Sequence, residues 1–182
     1  MSENTKTLPL FPGVKVGETF HIGDMEFIRF HDVNGHTPVV MKNIAFRSCF
    51  GSNNDFRESK ILKKLQEEYL PRIIEAVGEE NVLEFETDLT TLDGLKNYGT
   101  MVSRISIPTF DFYRANVAIF DQHNPGSWWW LVTADSAKPH YDPKWVTCVS
   151  PAGRIYDDGF SRGVLIGVRP FCIFKSSIFE SC

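Results

Sequence analysis

The sequence has no apolar run long enough to span a bilayer, and its first residues lack the apolar segment that a secretion signal requires. Of its 182 residues, 19 are basic and 23 are acidic, and neither sign is concentrated in a run. The resulting net charge of −4 argues against a nucleic-acid-binding face. We therefore expect a protein that is made in a cytoplasm, with no membrane insertion and no nucleic-acid partner.

Cysteine is scarce, and the spacings typical of metal sites or redox pairs are missing. The four cysteines are Cys49, Cys148, Cys172 and Cys182. Without CxxC or CxxxC spacing, they are predicted to be reduced thiols that fill apolar space. The chain also has no serine-hydrolase, zinc-protease, phosphate-loop or EF-hand motif, and no histidine pair at metal-ligand spacing on one helix. These absences predict a non-enzymatic protein without a metal ion or a cofactor.

Phenylalanine is abundant, with 15 residues, and 42% of the chain is hydrophobic. This composition predicts one globular domain with a ring-rich core, or with an aromatic interface. Residues 1–15 are predicted to form an N-terminal arm, because Pro9 and Pro12 flank apolar residues in a segment suited to an extended strap. The strap would lie on this domain or on a neighbouring subunit. Residues 16–182 form the predicted domain.

Turn residues and apolar periodicity predict an antiparallel meander followed by one main helix. A hairpin over 17–30 would turn at Gly23-Asp24, and a third strand over 38–44 would follow an Asn34-Gly35 turn. Apolar residues at helical spacing predict a helix over 55–70, capped by Asp55 and ended by Pro71, with a further turn or two up to Gly78. A short helix capped by Thr109 is also predicted. Further strands are predicted over 82–89, 105–107, 128–133, 145–150, 154–156 and 164–174.

Three segments, in order, carry a resemblance to a known domain family. The first is Asn-Asn-Asp-Phe-Arg-Glu-Ser at 53–59, and the second is Pro-Gly-Ser-Trp-Trp-Trp-Leu at 125–131. The third is Val-Ser-Pro-Ala-Gly-Arg-Ile at 149–155, closing with Gly-Val-Arg-Pro-Phe at 167–171. Together they resemble an uncharacterised domain family of phage and gut-bacterial proteins that has a WWLRSP-like strand and a C-terminal GVRPA motif. Val132-Thr133 stands where that family has Arg-Ser, and Phe171 stands where it has Ala.

The resemblance runs from about Val16 to Phe174 and implies a fold. The family is similar to C-type-lectin-like folds, which include phage variable receptor-binding proteins and formylglycine-generating-type enzymes. It implies an α+β domain with small antiparallel sheets, one main amphipathic helix and long irregular loops.

Five residues in the motif segments are interpreted as structural. In a strand, Trp128 and Trp130 point to one side and Trp129 to the other, so at least one side is core. Arg169 lies between apolar neighbours and is expected to reach a buried carboxylate or carbonyls. Pro170 has no N–H to donate and suits a sheet edge or a bulge.

The loops at 134–144 and 156–163 are predicted to carry recognition. Both mix aromatic and polar side chains, as recognition surfaces do. The candidate ligand-binding residues are Lys138, His140, Tyr141, Asp142, Tyr156, Asp157, Asp158, Phe160 and Arg162. Their carboxylates match no calcium-binding lectin signature and are interpreted as turn-forming, solvating acids.

The resemblance then implies a phage virion protein, either a head fibre or a tail component, that recognises a host cell-surface glycan or protein. The apolar residues of the Pro-bounded arm, Leu8, Leu10 and Phe11, separately predict a homo-oligomer. One alternative is a structural assembly or decoration protein whose arm contacts other virion proteins. A second alternative is a formylglycine-generating-type enzyme that uses Cys148 and Cys172. The alternative location is a bacterial cytoplasm.

Overall fold

The computed structural model describes residues 9–138 and 144–181, which form eleven strands in three sheets together with several short helices. The strands are β1 (Thr19–Ile22), β2 (Met25–Arg29), β3 (His36–Met41), β4 (Phe46–Ser48), β5 (Phe85–Asp88), β6 (Thr100–Ser103), β7 (Trp129–Ala134), β8 (Trp145–Val149), β9 (Ile155–Phe160), β10 (Ile166–Val168) and β11 (Phe171–Lys175).

The first sheet is antiparallel and has the order β1-β2-β3-β11. Ile22 pairs with Met25 across the Gly23-Asp24 turn, which confirms the predicted hairpin. Asn34 and Gly35 have φ of 52° and 77°, the left-handed conformation that a tight turn of this kind requires. The predicted third strand is confirmed, although it begins two residues earlier and ends at Met41.

The second sheet has the order β4-β10-β7-β8-β9, and the third consists of β5 and β6 alone. Among the strand pairs of the second sheet that the structure describes, only β10–β7 is parallel. The turn between β8 and β9 is the predicted one, with Gly153 at φ of 75°. The described chain is therefore an α+β structure with small, mostly antiparallel sheets.

The main helix begins later than predicted. Asp55 caps only a 3₁₀ turn, Phe56–Glu58, by accepting a hydrogen bond from the Arg57 amide. Ser59 is the cap of helix α1 (Lys60–Lys64), because its hydroxyl accepts from the Leu62 amide at 3.0 Å.

Pro71 does not end the helix, so that prediction was wrong. The segment Leu65–Tyr69 is π-helical, and the Leu70 amide donates to the carbonyl of Leu65, five residues back. This wider turn places Pro71 in the first turn of α2 (Leu70–Val77), where a missing N–H breaks no helical hydrogen bond. Gly78, at φ of 88°, ends α2 as predicted.

Two short helices follow. Thr109 caps α3 (Phe110–Ala115), as predicted, by accepting from the Phe112 amide at 3.0 Å. Helix α4 (Val117–Gln122) was not predicted. The predicted strand over 105–107 is only an isolated bridge between Ser106 and Phe171.

The predicted strand over 164–174 was wrong, because it is two strands in different sheets. β10 lies in the five-stranded sheet and β11 in the four-stranded sheet, and Arg169-Pro170 connects them. Pro170 is where the chain changes sheets, which explains how a residue without an N–H is accommodated there.

Two hydrophobic clusters lie on opposite sides of β7. Trp130 and Val132 belong to the larger cluster, whereas Trp129 and Leu131 belong to the smaller one. The predicted alternation is confirmed, and both sides of the strand are core. No helix within residues 9–138 and 144–181 combines the length and the apolar character that a membrane crossing would need.

The described part of the predicted arm lies against its own chain. The Phe11 ring is 4.6 Å from that of Phe20 and 5.8 Å from that of Phe179, centroid to centroid. The Phe11 amide donates to the Ile178 carbonyl at 2.8 Å. Leu10 is 44% exposed, and Leu8 lies outside the described residues.

Candidate functional site

Four of the candidate ligand-binding residues lie in strand β9 rather than in a loop. They are Tyr156, Asp157, Asp158 and Phe160. The predicted loop over 156–163 was therefore wrong up to Phe160, because β8 supplies a hydrogen-bonding partner as far as Phe160. Among residues 9–138 and 144–181, β9 forms an edge of the five-stranded sheet. His140, Tyr141 and Asp142 fall outside the described residues.

Two aromatic pairs stand at the two ends of this edge strand. The Trp128 and Tyr156 rings lie 5.0 Å apart in an edge-to-face arrangement. The Trp145 and Phe160 rings lie 5.6 Å apart. Trp128, Tyr156 and Trp145 are 37%, 41% and 43% exposed, which is high for such large side chains. Tyr156 pairs with Cys148 and Phe160 pairs with Trp145, so the two ring pairs lie on opposite faces of the sheet at its edge. These four rings, together with the exposed Asp157 and Asp158 between them, are called the β9 surface below.

Trp128 and Trp145 are the residues whose roles sequence reasoning missed. The sequence predicts a structural role for Trp128. In the structure, Trp128 lies just before β7 begins and is more exposed than Trp129 or Trp130. Trp145 was not among the candidates at all. Its pairing with Phe160 across the sheet depends on the β8–β9 register, which the sequence does not display.

A groove of about 220 Å³ opens on the β9 surface. Its lining residues are Trp128, Cys148, Asp158, Gly159, Phe160, Val164 and Ile166. Gly159 is required here, since a Cβ at this position would lie 2.6 Å from Cζ3 of Trp130 and 2.7 Å from the Val146 carbonyl oxygen. The core tryptophan thus reaches the inner side of the groove.

Asn54 holds together the two ends of the predicted recognition loop. Its Nδ2 donates to the carbonyls of Ser136, at 2.9 Å, and of Trp145, at 3.2 Å. Its Oδ1 accepts from the Tyr98 hydroxyl at 2.6 Å. Asn54 is only 1% exposed, so these hydrogen bonds satisfy a buried amide and fix the base of the loop. Asn54 belongs to the 53–59 motif, which could have marked it as a structural residue. The sequence does not show that it hydrogen-bonds to Ser136, Trp145 and Tyr98.

Asp93 is a second tie at the base of the same loop. It accepts hydrogen bonds from the hydroxyls of Thr91 and of Ser136 and lies 3.3 Å from Nζ of Lys138. The two hydroxyls, and then Lys138, lower the pKa of Asp93 to about 2. Lys138, a candidate ligand-binding residue, is thus paired with Asp93. Another loop acid, Asp135, has a raised pKa because of its burial and the nearby negative charges.

Arg169 is fully buried and is held by carbonyls. Its Nε donates to the Met41 carbonyl at 3.0 Å, and its Nη2 donates to that of His123 at 3.4 Å. Its Cζ lies 4.6 Å from the Trp129 ring centroid and 5.5 Å from that of Phe120. Burial lowers the pKa of Arg169 to about 9, which leaves the guanidinium charged at neutral pH. These contacts tie together the end of β3, the end of α4 and the point where the chain changes sheets.

Cys148 and Cys172 lie in the larger hydrophobic cluster. Burial raises the pKa of Cys148 to about 12, and the nearby Asp158 and Asp157 add to this. Burial also raises the pKa of Cys172 well above its usual value. Both side chains are therefore neutral thiols at physiological pH, whereas a nucleophilic cysteine needs a lowered pKa.

Within the described ranges, no group of three or more His, Cys, Asp or Glu side chains is placed to hold a metal ion. Asp157 and Asp158 lie side by side in β9. Asp142, which follows Asp135 in the predicted loop over 134–144, lies outside the described residues.

Comparisons with protein families, with curated proteins and with solved structures each returned no match for this chain. These comparisons therefore support no family and no function for this chain.

Proposed function

We propose that the protein is a non-enzymatic binding module that recognises a carbohydrate on a host-cell surface through the β9 surface. The observation that carries this proposal is the pair of exposed aromatic contacts, Trp128 with Tyr156 and Trp145 with Phe160, on either side of Asp157 and Asp158.

The chemistry of a sugar fits these groups. A pyranose has apolar C–H faces that can lie on aromatic rings, and hydroxyl edges that can donate to carboxylates. Exposed aromatic groups next to polar side chains are typical of recognition surfaces, where rigid rings bind with little loss of side-chain entropy. The groove between Trp128 and Phe160, at about 220 Å³, would hold a sugar residue or part of one.

The edge of the sheet favours a glycan over a peptide strand. An unpaired edge strand can bind an extended peptide through its backbone, but charged side chains oppose such pairing. β9 carries two consecutive exposed acids, Asp157 and Asp158, in the middle of its length. The rings, and not the backbone of the edge, are then the groups that would bind the ligand.

The family resemblance supplies the biological setting of this proposal. A C-type-lectin-like domain in a phage head fibre or tail protein would present irregular loops and an aromatic surface to the host. Asn54 and Asp93 support this role, because they fix the base of the loop next to the β9 surface.

A glycan array probed with the intact chain tests the proposal. We expect binding to a subset of glycans, and we expect Trp128→Ala combined with Tyr156→Ala to lower the affinity by at least about tenfold, since stacked rings are typical hot spots. Val102→Ala, on β6, is the matched control, because Val102 is 62% exposed and lies outside the β9 surface. Loss of binding in both variants, or in neither, would contradict the proposed site.

A structural role in particle assembly is the second candidate. Val164 and Leu165 are 41% and 65% exposed, and Val164 lines the same groove as Trp128. Exposed apolar side chains next to an aromatic surface are also typical of subunit contacts. If the intact chain bound no glycan but was present in particles in stoichiometric amount, we would adopt this second candidate.

The formylglycine-generating-type alternative has less support. Such an enzyme needs paired reactive cysteines, whereas the raised pKa values of Cys148 and Cys172 disfavour the thiolate form.

A further inference from the structure

A larger cleft, of about 450 Å³, lies away from the β9 surface, between β5 and helix α3. Phenylalanine rings form much of its interior. Phe85 comes from β5, Phe110 and Phe112 come from α3, and Phe171 comes from β11. The Phe171 ring is 5.2 Å from that of Phe85 and 5.0 Å from that of Phe112, which makes a continuous aromatic floor.

The rim of this cleft carries more negative than positive charge. Its charged lining residues are Glu86, Asp88, Asp111 and Arg114. Asp111 and Arg114 pair with each other, at 3.0 Å between Oδ1 and Nη2, and are thereby neutralised. Glu86 and Asp88, both exposed on β5, remain as the net charge of the opposite wall.

Asp88 is held in its charged form and in a fixed position. It accepts from the Thr90 hydroxyl at 2.6 Å and from the Thr90 amide at 2.9 Å. These hydrogen bonds lower the pKa of Asp88, and the positive charge of Lys96 acts in the same direction to a smaller extent. Asp88 is therefore an oriented carboxylate at neutral pH.

Arg114, which pairs with Asp111, also lies over one of the phenylalanine rings. Cζ of Arg114 lies 5.4 Å from the centroid of the Phe110 ring. The face of a benzene ring carries negative charge and attracts a cation within about 6 Å. The Phe110 ring at this side of the cleft is thus already in contact with a cationic group.

We propose that this cleft binds a small organic ammonium ion with an apolar body. The ammonium group would lie at Glu86 and Asp88, and the apolar body would lie against the phenylalanine floor. An anion would be repelled by the same carboxylates, and a neutral ligand of equal size would gain only the apolar contacts.

Calorimetric titration of the intact protein with three ligands of similar size tests this proposal. The probes are 2-phenylethylammonium, 2-phenylethanol and 3-phenylpropanoate. We expect the ammonium ion to bind at least about fivefold tighter than the alcohol, because an exposed carboxylate pair attracts it, and we expect the carboxylate to bind most weakly.

Glu86→Gln combined with Asp88→Asn should lower the affinity for the ammonium ion to that for the alcohol, and should leave the affinity for the alcohol unchanged. Glu84→Gln is the matched control, since Glu84 is an exposed acid on the same segment that does not line the cleft. Equal binding of the three probes, no binding of any of them, or an equal effect of Glu84→Gln would overturn the proposal. Trp128→Ala combined with Tyr156→Ala should not change this binding, so failure here is separable from failure of the glycan proposal.

Discussion

Strands β7 and β9 belong to the same sheet but meet opposite environments. All six residues of β7 are buried, and its two sides contact the two hydrophobic clusters. β9 lies at the edge, with Tyr156, Asp157 and Asp158 exposed in succession. Both strands are rich in aromatic residues or adjoin them. Position in the sheet therefore decides whether a ring is part of the core or part of a surface.

The three consecutive tryptophans at 128–130 show how position in the sheet decides whether a ring is buried. Trp130 is 0% exposed and Trp129 is 1% exposed, while Trp128 is 37% exposed. Trp130 is also satisfied, since its Nε1 donates to the Ser48 carbonyl at 2.9 Å. Trp128 precedes the strand and contacts the outward-facing Tyr156 instead. Of these three consecutive tryptophans, Trp130 lies in the larger hydrophobic cluster, Trp129 lies in the smaller one and Trp128 lies at the surface.

Replacing these tryptophans one at a time gives the largest contrast. Trp130→Ala should lower the free energy of unfolding by about 3–5 kcal/mol, because a fully buried ring leaves a cavity and an unpaired Ser48 carbonyl. Trp128→Ala should cost clearly less, about 1 kcal/mol, since Trp128 is 37% exposed and its ring contacts the exposed Tyr156. Urea unfolding followed by circular dichroism measures both. Equal losses for the two variants would show that Trp128 is part of the core.

A substitution at Gly159 tests how closely the exposed strand β9 packs against Trp130 of the buried strand β7. Gly159→Ala should cost about 1–3 kcal/mol, because the added Cβ would press on Trp130 and on the Val146 carbonyl, neither of which can move freely. Gly163→Ala is the control. Its Cβ would meet only the edge of the partly exposed Phe160 ring, at 3.3 Å, so we expect a change within about 0.5 kcal/mol. Unfolding midpoints that coincide for the two variants would argue against close packing of β9 on Trp130.

Much of the local structure could be predicted because local residues determine it. The turns at Gly23-Asp24 and Asn34-Gly35 require backbone conformations that these residues adopt readily, and both turns are present. The start of the main helix was ambiguous for the same local reason. Asp55 and Ser59 are both good caps, four residues apart, and both do cap a helical turn.

The parts that were missed depend on contacts between distant segments. Nothing in the run 164–174 shows that its two halves pair with different sheets, since both halves are apolar. Likewise, the sequence shows that the segment of β9 contains acids and aromatic residues. It does not show that Trp145 contacts Phe160, because that contact depends on the pairing of β8 with β9. The phenylalanine cleft combines β5, α3 and β11, three elements that lie far apart in the sequence.

The smallest expected effect concerns the loop base, where the buried strand β7 gives way to the recognition loop. The lowered pKa of Asp93, about 2 against an ordinary 3.8, means that its charged form is favoured in the folded protein. A group of this kind stabilises the fold above its unfolded pKa, and the stabilisation is lost as the pH falls through the folded pKa. The free energy of unfolding should therefore decline between about pH 4 and pH 2, in part because of Asp93.

In Asp93→Asn this part of the decline should be absent, so that the two proteins become more alike in stability as the pH falls. Because the carboxylate is at the surface, the difference should be small, and the direct measurement is the NMR titration of the Asp93 side chain. A midpoint near 3.8 would show that Thr91 and Ser136 do not hydrogen-bond this carboxylate in solution.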